Sequence, residues 1–430
     1  MGKSTIVFLC FSISCLLLQA QPELPGYDNR VYDADIRSVR FTPGGLALAM
    51  PIINFNSSTQ LHLRFDDITG DTRNLYYSVV HCDADWTPSR LRLQEYLDGF
   101  DREELWTYQY SSLTYHPYTY YDLSIPNERT KLLVPGNYVL YIYEDDVDQP
   151  ILTQRFVLVD TRVKIEARTR KAVLSGQIQT HQAIEFFINH EKFKISDPAD
   201  EIKAYVMQNG DWHTMIEAPM RSFRGKVINF DFPGKIVFPG KKEFRVMDLR
   251  SVDVQLPSIR VIEKDDLGYR LFLQPVTDRR GEFYSNRIDL NGGYVISNFD
   301  NNGGFRPNFS VATVDELQEL RSEYVRAVVT LTGQPPGGDF YVTGQFSLWN
   351  LDEEYRMEYV EEFDAYMAEI WLKQGYYDYE ILSVDYSKSP PARESLSGNW
   401  YETENDYQIL IYHRGFTDRY DTPVGVLSID

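Results

Sequence analysis

Cysteine is scarce in this sequence, with three residues in 430, and two of them, Cys10 and Cys15, fall among the first 20 residues. Those 20 residues contain a basic start, an apolar run over 6–18 and Ala20 at a plausible cleavage site, which predicts a secretory signal peptide over residues 1–20. A lipoprotein anchored at Cys15 is the alternative. The mature chain then keeps only Cys82, so no intramolecular disulfide can form and the cores must fold without cross-links.

Long apolar runs and catalytic motifs are also lacking. No apolar run after the signal approaches the ~20 residues of a membrane helix, which argues against direct membrane insertion. The seven His are scattered, and no H-E-x-x-H, G-x-S-x-G, P-loop or C-x-x-C pattern is present. The sequence therefore predicts a protein that is not an enzyme and has no catalytic residues, cofactor or metal. A hydrolase would need a triad or a carboxylate pair that the pattern does not supply.

Positive charge is in deficit, because 43 Lys and Arg face 63 Asp and Glu and give a net charge of -20. Loss of the signal removes one Lys, so that 42 basic residues face 63 acidic ones and the charge becomes -21. Nucleic-acid affinity depends on Lys and Arg contacts to phosphates, so a nucleic-acid partner is excluded. The same reasoning disfavours adhesion to an anionic lipid surface. The free chain is expected to be a soluble monomer.

Aromatic residues are abundant at 14%, with 31 Tyr, and favour β-structure. Short apolar runs recur at strand spacing, separated by turn signals such as Asn209-Gly210. We predict an all-β fold of three consecutive β-sandwich, Ig-like or early-set-like domains, with one short helix near 89–98 in the first. Predicted units are 21–160, 161–290, a connector over 291–322 with a brief helix at 314–322, and 323–430. Predicted strands include Leu61–Phe65, Tyr138–Tyr143, Ile202–Met207, Phe340–Thr343 and Tyr376–Val384.

Clusters of three kinds could carry chemistry. His81-Cys82-Asp83-Ala84-Asp85-Trp86 suggests a metal site or a Cys/His pair, but neighbouring strand residues point to opposite faces, so a buried structural Cys82 is favoured. The loops Glu144–Asp148 and Asp300–Gly304 are rich in oxygen ligands, but neither has calcium-loop spacing, and polar turns are the simpler interpretation. Pairs such as Asp66-Asp67 are expected in any acidic chain and do not indicate a glycosidase.

A pattern in the last unit resembles the glycogen-binding family of early-set domains. It consists of Gly344-Gln345-Phe346-Ser347-Leu348-Trp349, the later Tyr376–Ile381, and Asn399-Trp400. The resemblance implies that Trp349 and Trp400 would stack on sugar, and it supports a periplasmic or surface glycan-binding protein as the alternative function. The family's strand Lys is Glu380 here, which removes a cationic donor to sugar hydroxyls.

The chain resembles the type IX secretion system plug family of Bacteroidota over about residues 27–430, and the first unit is its most distinctive part. The matching residues are Tyr27–Tyr32, Leu63–Asp67, Tyr77–Trp86 leading into Glu95–Phe100, and Pro135–Tyr138, of which the block 81–100 is the most specific. The resemblance implies a periplasmic protein at the inner side of the outer membrane that closes the idle pore of the translocon, a very large β-barrel. Trp86 is then a candidate partner contact, alongside Trp349 and Trp400.

The expected size of one domain bears on this resemblance. A globular domain of about 137 residues is about 37 Å across. A barrel of about 36 strands is on the order of 70 Å wide. One domain alone would underfill such a pore, so more than one domain contributes to the seal or internal loops narrow the lumen. An acidic plug would bind best to a basic rim, with salt-sensitive association.

Overall fold

The structure, a computed structural model, describes residues 26–300 and 314–429. The predicted signal peptide and most of the Asp300–Gly304 loop lie outside the described residues. Within the described residues the protein is nearly all strand, and the predicted all-β class of sandwich domains is confirmed. The short helix predicted in the first domain is present as a single turn, α1.

The first part of the chain forms twelve strands and α1. Their bounds are β1 (Arg30–Val31), β2 (Ile36–Pro43), β3 (Ile52–Asn54), β4 (Leu61–Asp67), β5 (Tyr76–Cys82), α1 (Leu93–Tyr96), β6 (Leu97–Asp98), β7 (Glu103–Glu104), β8 (Tyr108–Tyr110), β9 (Thr119–Ile125), β10 (Lys131–Leu132), β11 (Gly136–Tyr143) and β12 (Leu152–Val159).

The middle part contributes β13 (Lys164–Lys171), β14 (His181–Asn189), α2 (Pro198–Glu201), β15 (Ile202–Gln208), β16 (Asp211–Glu217), β17 (Ser222–Arg224), β18 (Val227–Asn229), β19 (Val237–Pro239), β20 (Arg245–Asp248), β21 (Ile259–Asp265), β22 (Gly268–Leu273) and β23 (Tyr294–Ile296).

The last part contributes α3 (Glu316–Arg321), β24 (Tyr324–Thr332), β25 (Phe340–Thr343), β26 (Arg356–Val360), β27 (Ala365–Lys373), β28 (Gly375–Asp385), β29 (Ala392–Ser395), β30 (Tyr407–His413) and β31 (Thr422–Ile429). Three 3-10 turns, Gln345–Ser347, Glu353–Tyr355 and Glu361–Phe363, lie between these strands.

The first sandwich consists of two sheets. Sheet 1 has the order β2-β4-β9-β8, and sheet 2 has the order β1-β12-β11-β5-β7 with β3 paired to β12. Alternate residues of each strand point into a shared core that includes Leu63, Tyr121, Leu140 and Phe156.

The second sandwich pairs strands that are far apart in sequence. Sheet 3 has the order β16-β15-β30-β31, and sheet 4 has the order β13-β14-β18-β17 with β19 paired to β14. Its core joins Ile184 and Phe186 from sheet 4 to Val206 and Ile409 from sheet 3. The chain therefore returns to the second sandwich after completing the third, with Tyr205 opposite Leu410 in the β15 and β30 register.

The third sandwich is one long sheet path, β20-β28-β25-β26-β27-β24-β22-β21, with β23 and β29 also paired to β28. Three of its strands, β20 to β22, come from the range predicted for the second domain. The domain limits 161–290 and 323–430 stay a prediction. Strands from within each range pair with strands of the other: β20 to β22 lie in the third sandwich, and β30 and β31 lie in the second. β23 and α3 are the regular elements described within the predicted connector 291–322.

Sheets 4, 3, 2 and 1 form a four-layer stack. A separate hydrophobic cluster lies between sheets 3 and 2, where Cys82, Trp86 and Tyr141 meet Met207 and Tyr412. A smaller cluster of Tyr118, Tyr120 and Tyr324 joins sheet 1 to the third sandwich. The cores therefore continue from one sandwich into the next.

Candidate functional site

The three sandwiches enclose a cleft of about 660 Å³, which we call the junction cleft. The first sandwich lines it mostly with apolar side chains and adds a few polar ones, and the other two add amide, carboxylate and indole groups. Lining residues include Leu48, Met50 and Gln154 from the first sandwich, Asn209, Trp212 and Gln408 from the second, and Asp289, Gln345 and Trp349 from the third. A cleft built by all three sandwiches is the natural place to look for a site.

Trp349 forms a wall of this cleft. The 3-10 turn Gln345–Ser347 ends in two residues with positive φ, Leu348 at 51° and Trp349 at 62°, which turns the indole inward. Its side chain is 6% exposed, and the ring of Phe244 lies 5.9 Å away, edge to face. Gly292 has φ +83°, and a Cβ there would lie 2.2 Å from Cη2 of Trp349, so no larger residue fits. Trp349 is therefore enclosed by protein and does not offer an open face to a sugar.

Lys241 supplies the positive charge that the glycan-binding pattern lacks at Glu380. Its ammonium lies 4.9 Å from the ring centroid of Trp349 and 2.9 Å from Oε1 of Glu380. Its backbone carbonyl accepts a hydrogen bond of 2.7 Å from the backbone N–H of Trp400. Lys241 thus lies between the two tryptophans predicted to stack on sugar. Sequence reasoning missed it, because it precedes its partner Glu380 by 139 residues and no local motif marks it.

Trp400 is half-buried, and its ring centroid lies 6.0 Å from that of Tyr284. Trp86, the third candidate, is 3% exposed and lies in the cluster between sheets 2 and 3. Its ring meets Trp212 edge to face at 5.0 Å, and the guanidinium of Arg155 lies 4.5 Å from its ring centroid. Burial lowers the pKa of Arg155 to about 10. Trp86 therefore packs the first sandwich onto the second and reaches the cleft only through Trp212.

His81 and Cys82 point to opposite faces of β5. His81 Nδ1 lies 2.8 Å from Oγ of Ser89, and the ring packs edge to face against Tyr138. Burial lowers the pKa of His81 to about 4 and raises the pKa of Cys82 to about 12. At neutral pH both groups are uncharged and do not meet, so they do not form a nucleophile pair. Cys82 is free and buried, as predicted.

The most specific block of the sequence resemblance, 81–100, contacts the second sandwich through partly buried charged groups. Asp83 accepts a hydrogen bond of 3.0 Å from the backbone N–H of Asp421 and pairs with Arg414 at 3.2 Å. Asp421 in turn accepts from the backbone N–H of Ala84 at 3.1 Å and pairs with Lys203 at 3.1 Å. The Asp83 carboxylate is therefore used to join β5 to the loop between β30 and β31.

A second buried ionic network joins the first sandwich to the third. Arg40 binds Glu319 through two hydrogen bonds of 2.7 and 2.6 Å. Lys373 lies 2.8 Å from Asp66 and 3.6 Å from Glu319, and Tyr324 donates to Asp66 at 2.6 Å. The four charged side chains are at most 3% exposed. Asp66 of the Asp66-Asp67 pair thus contributes to a domain contact, whereas Asp67 pairs with Arg73 inside the first sandwich.

Two carboxyl groups lie close to the wall of the junction cleft. Asp289 lines the cleft and accepts from the backbone N–H groups of Phe244 at 2.7 Å and Asn291 at 3.0 Å. Asp378 lies behind it and accepts from the backbone N–H of Leu290, while its Oδ1 is buried without a hydrogen-bond partner. Burial, together with the negative charge of Asp289, raises the pKa of Asp378 to about 7. Asp378 therefore titrates in the physiological range.

The oxygen-rich loops do not assemble a metal site among the described residues. Glu144 pairs with Arg73 at 2.6 Å, and Asp300 accepts from the backbone N–H of Val252 at 2.8 Å and from Gln374 at 2.8 Å. Across 26–300 and 314–429, no group of three or more His, Cys, Asp or Glu is arranged to hold a metal. Over the same ranges, no helix is long and apolar enough to span a membrane.

Comparison with known proteins identifies the first sandwich. Residues 36–160 match the family model of the first domain of type 9 secretion system plug proteins, which confirms the resemblance predicted from the sequence for this part of the chain. No curated protein matches the chain.

Two solved structures were compared with the whole chain. A hypothetical protein from Parabacteroides merdae has a TM-score of 0.85 at 28% identity, with 94% of this chain and 98% of that chain covered. The C-terminal domain of the Streptococcus pyogenes antigen I/II-family protein AspA is 8% identical over 91% of this chain and 98% of that one, with a TM-score of 0.14. The arrangement of all three sandwiches is therefore shared with the Parabacteroides protein.

Proposed function

We propose that this chain, which carries the first domain of a type 9 secretion system plug protein at residues 36–160, closes the periplasmic side of the outer-membrane translocon pore without catalysing a reaction. The domain match supports a role in type IX secretion and a place in the cell envelope. The observation that carries the finer proposal is the attachment of the first sandwich to the third by buried ion pairs and to the second by an apolar cluster. Such a body resists deformation and blocks a pore by its shape.

The buried networks make domain separation costly. Separating the first and third sandwiches would expose or unpair Arg40, Glu319, Asp66 and Lys373 together. Separation would also expose the buried rings of Tyr118, Tyr120 and Tyr324, and burial of apolar surface stabilises such a contact by about 25 cal/mol per Å². The Asp83 and Asp421 contacts, with the apolar cluster around Trp86, fasten the second sandwich in the same way. The three sandwiches therefore act together as one plug.

A fixed arrangement of three sandwiches accounts for how a chain of small domains can fill a wide pore. One domain of about 37 Å underfills a pore on the order of 70 Å wide. Three sandwiches held in a fixed arrangement present a much larger cross-section than one. The proposal therefore assigns the seal to the whole body, with the first sandwich as the part that carries the family signature.

An exposed aromatic surface of the first sandwich is the part we assign to translocon contact. Six large hydrophobic side chains between residues 100 and 115 are at least 43% exposed, although nearby strands bury theirs: Phe100, Trp106, Tyr108, Tyr110, Leu113 and Tyr115. Two of them, Tyr108 and Tyr110, lie on β8, an edge strand of sheet 1. Aromatic side chains are the commonest binding hot spots, which favours this segment as an interface.

Co-purification of the full chain with the translocon tests the proposal. The chain should be recovered with the translocon after mild detergent extraction, and cells lacking the chain should admit large solutes through the outer membrane. The double substitution Phe100→Ser with Trp106→Ser should reduce recovery at least about tenfold, since each is a candidate hot spot. Phe416→Ser is the matched control, because Phe416 is fully exposed but lies in the second sandwich.

The outcomes separate the plug from other roles. A translocon that stays sealed and never carries this chain would refute the plug. If recovery of the Phe416→Ser variant fell as far as that of the double variant, the assignment of the contact surface would be wrong. The proposed plug function would not be affected by that result.

A further inference from the structure

The negative charge of this chain is unevenly distributed. Residues 161–240, which form most of the second sandwich, contain 12 Lys and Arg against 9 Asp and Glu, whereas the rest of the chain contains 31 against 54. The second sandwich is therefore slightly positive on a chain whose remainder carries a net charge of -23. An argument from total charge does not apply to this part of the surface.

The positive charge lies on the outer face of sheet 4. The inner face of this sheet packs on sheet 3 through Ile165, Ile188 and Ile228. Strand alternation places the intervening residues outward, among them Lys164, Arg168 and Arg170 of β13. Lys164 lies 2.6 Å from Glu166, and Arg168 and Arg170 both pair with Glu185, so this part of the face is only partly neutralised.

One end of this face carries basic residues without acidic partners. The turn Arg224-Gly225-Lys226 joins β17 to β18, and the loop after β14 lies beside it, because the backbone N–H of His190 donates to the carbonyl of Lys226 at 3.0 Å. That loop adds Lys192 and Lys194. All four basic side chains are exposed, and no carboxylate of the described residues lies within 4 Å of any of them. We call this end, with its four basic residues, the basic tip.

Apolar side chains are interspersed with the basic ones. Phe223 is 53% exposed, Val227 39% and Phe187 39%. Phe223 precedes Arg224 directly, and Val227 is the register partner of both Arg224 and Asn189. The basic tip therefore combines positive charge with exposed aromatic and aliphatic groups on short, well-paired strands.

We propose that the basic tip docks on an anionic lipid surface. Lys is depleted at protein interfaces, whereas three of the four unpaired charges here are Lys. Lys and Arg near an anionic headgroup layer each add attraction, and exposed Phe side chains gain by burial at the boundary between headgroups and acyl chains. The acidic remainder of the chain is repelled by the same surface, which orients the molecule with the second sandwich towards the lipid. Docking at the headgroups requires no membrane insertion and no translocon.

Vesicle sedimentation with the full chain tests the docking surface. At low salt the protein should partition onto vesicles of phosphatidylglycerol and phosphatidylcholine at a ratio of 3:7 and stay free of pure phosphatidylcholine. The double substitution Arg224→Gln with Lys226→Gln should lower the partition coefficient about fivefold per charge, the equivalent of ~1 kcal/mol each, and so roughly 25-fold in total. The matched control is Lys388→Gln with Arg393→Gln, two exposed basic residues of the third sandwich, and should leave partitioning unchanged.

A third variant tests the apolar part of the surface, since Phe223→Ser should lower partitioning while keeping its salt dependence. Equal binding to both vesicle types, or equal effects of the two double variants, would overturn the proposal. Loss of translocon recovery in the Arg224→Gln and Lys226→Gln variant, without vesicle binding by the parent protein, would show that an acidic protein occupies the surface and would also overturn it.

Discussion

Replacing Asp378 by Asn should remove a pH dependence from the stability of the third sandwich. Asp378 is fully buried on β28, and its pKa rises from 3.8 to about 7 because burial and the neighbouring Asp289 disfavour the carboxylate. A shift of about three units corresponds to about 4 kcal/mol, at 1.36 kcal/mol per unit. This is the largest amount by which ionisation of Asp378 can destabilise the folded protein.

The sign follows from proton binding. The folded carboxyl holds its proton more tightly than the unfolded one, so its contribution to stability is complete below about pH 4 and is lost as pH rises to about 7. Above that pH the loss is constant. In Asp378→Asn the amide keeps an oxygen for the backbone N–H of Leu290, and no proton is exchanged. The free energy of unfolding of the variant, relative to the parent, should therefore rise between pH 4.5 and 8 by up to about 4 kcal/mol.

Urea unfolding followed by tryptophan fluorescence, at intervals from pH 4.5 to 8.5, measures this difference. The new amide group opposite the unpartnered position of Oδ1 adds a cost of about 1–3 kcal/mol that does not vary with pH, so the slope and not the offset is the test. Asp145→Asn, at an exposed loop position, is the control and should give a flat difference. A flat difference for Asp378→Asn as well would refute the titration of Asp378 near neutral pH.

Three further predictions concern the contact between the first and third sandwiches, packing inside the first sandwich, and the binding of the translocon. Lys373→Met should lower the free energy of unfolding by about 3–5 kcal/mol, because it leaves the buried carboxylate of Asp66 without its cation; a loss below 1 kcal/mol in urea unfolding would contradict the network. Gly136→Ala should cost about 1–3 kcal/mol, because a Cβ would lie 2.0 Å from Nε2 of His81, whereas Gly281→Ala meets no atom within 4 Å and should be neutral by thermal melting. Translocon binding should weaken on raising salt from 50 to 500 mM if a basic rim holds the acidic plug, and recovery that is independent of salt would leave the acidity a matter of solubility alone.

The strands could be predicted where their signal is local. The predicted strand Phe340–Thr343 has the same bounds as β25. The predicted strand Tyr376–Val384 is one residue shorter than β28 at each end. β13 was not predicted, since its sequence alternates charged residues with Ile165, Ala167 and Thr169 and lacks an apolar run. Local patterns therefore predict strands that contain an apolar run. A solvent-facing strand such as β13 has few apolar residues and escapes such a pattern.

Pairing over long distances could not be predicted. Nothing in 407–429 marks these strands as members of the second sandwich, because the apolar alternation of β30 fits any sheet with a free edge. The site shows the same limit. Trp349 and Trp400 were identified from a spaced motif, whereas Lys241, which lies between them, and Glu319, which pairs with Arg40, are brought in by the fold alone.

Total charge gave the correct sign for most of the surface and the wrong one for the outer face of sheet 4. The basic surface and the aromatic surface are far apart in the fold. The outer face of sheet 4 and the exposed strand β8 of sheet 1 belong to the first and last layers of the four-layer stack. At roughly 10 Å between layers they are about 30 Å apart. The basic tip and the aromatic surface therefore lie at opposite ends of the stack, so that one can be occupied without covering the other. Salt should release the basic tip from lipid, since that contact is electrostatic, and should weaken the translocon contact only as far as a basic rim contributes to it, since the aromatic part of that contact is apolar.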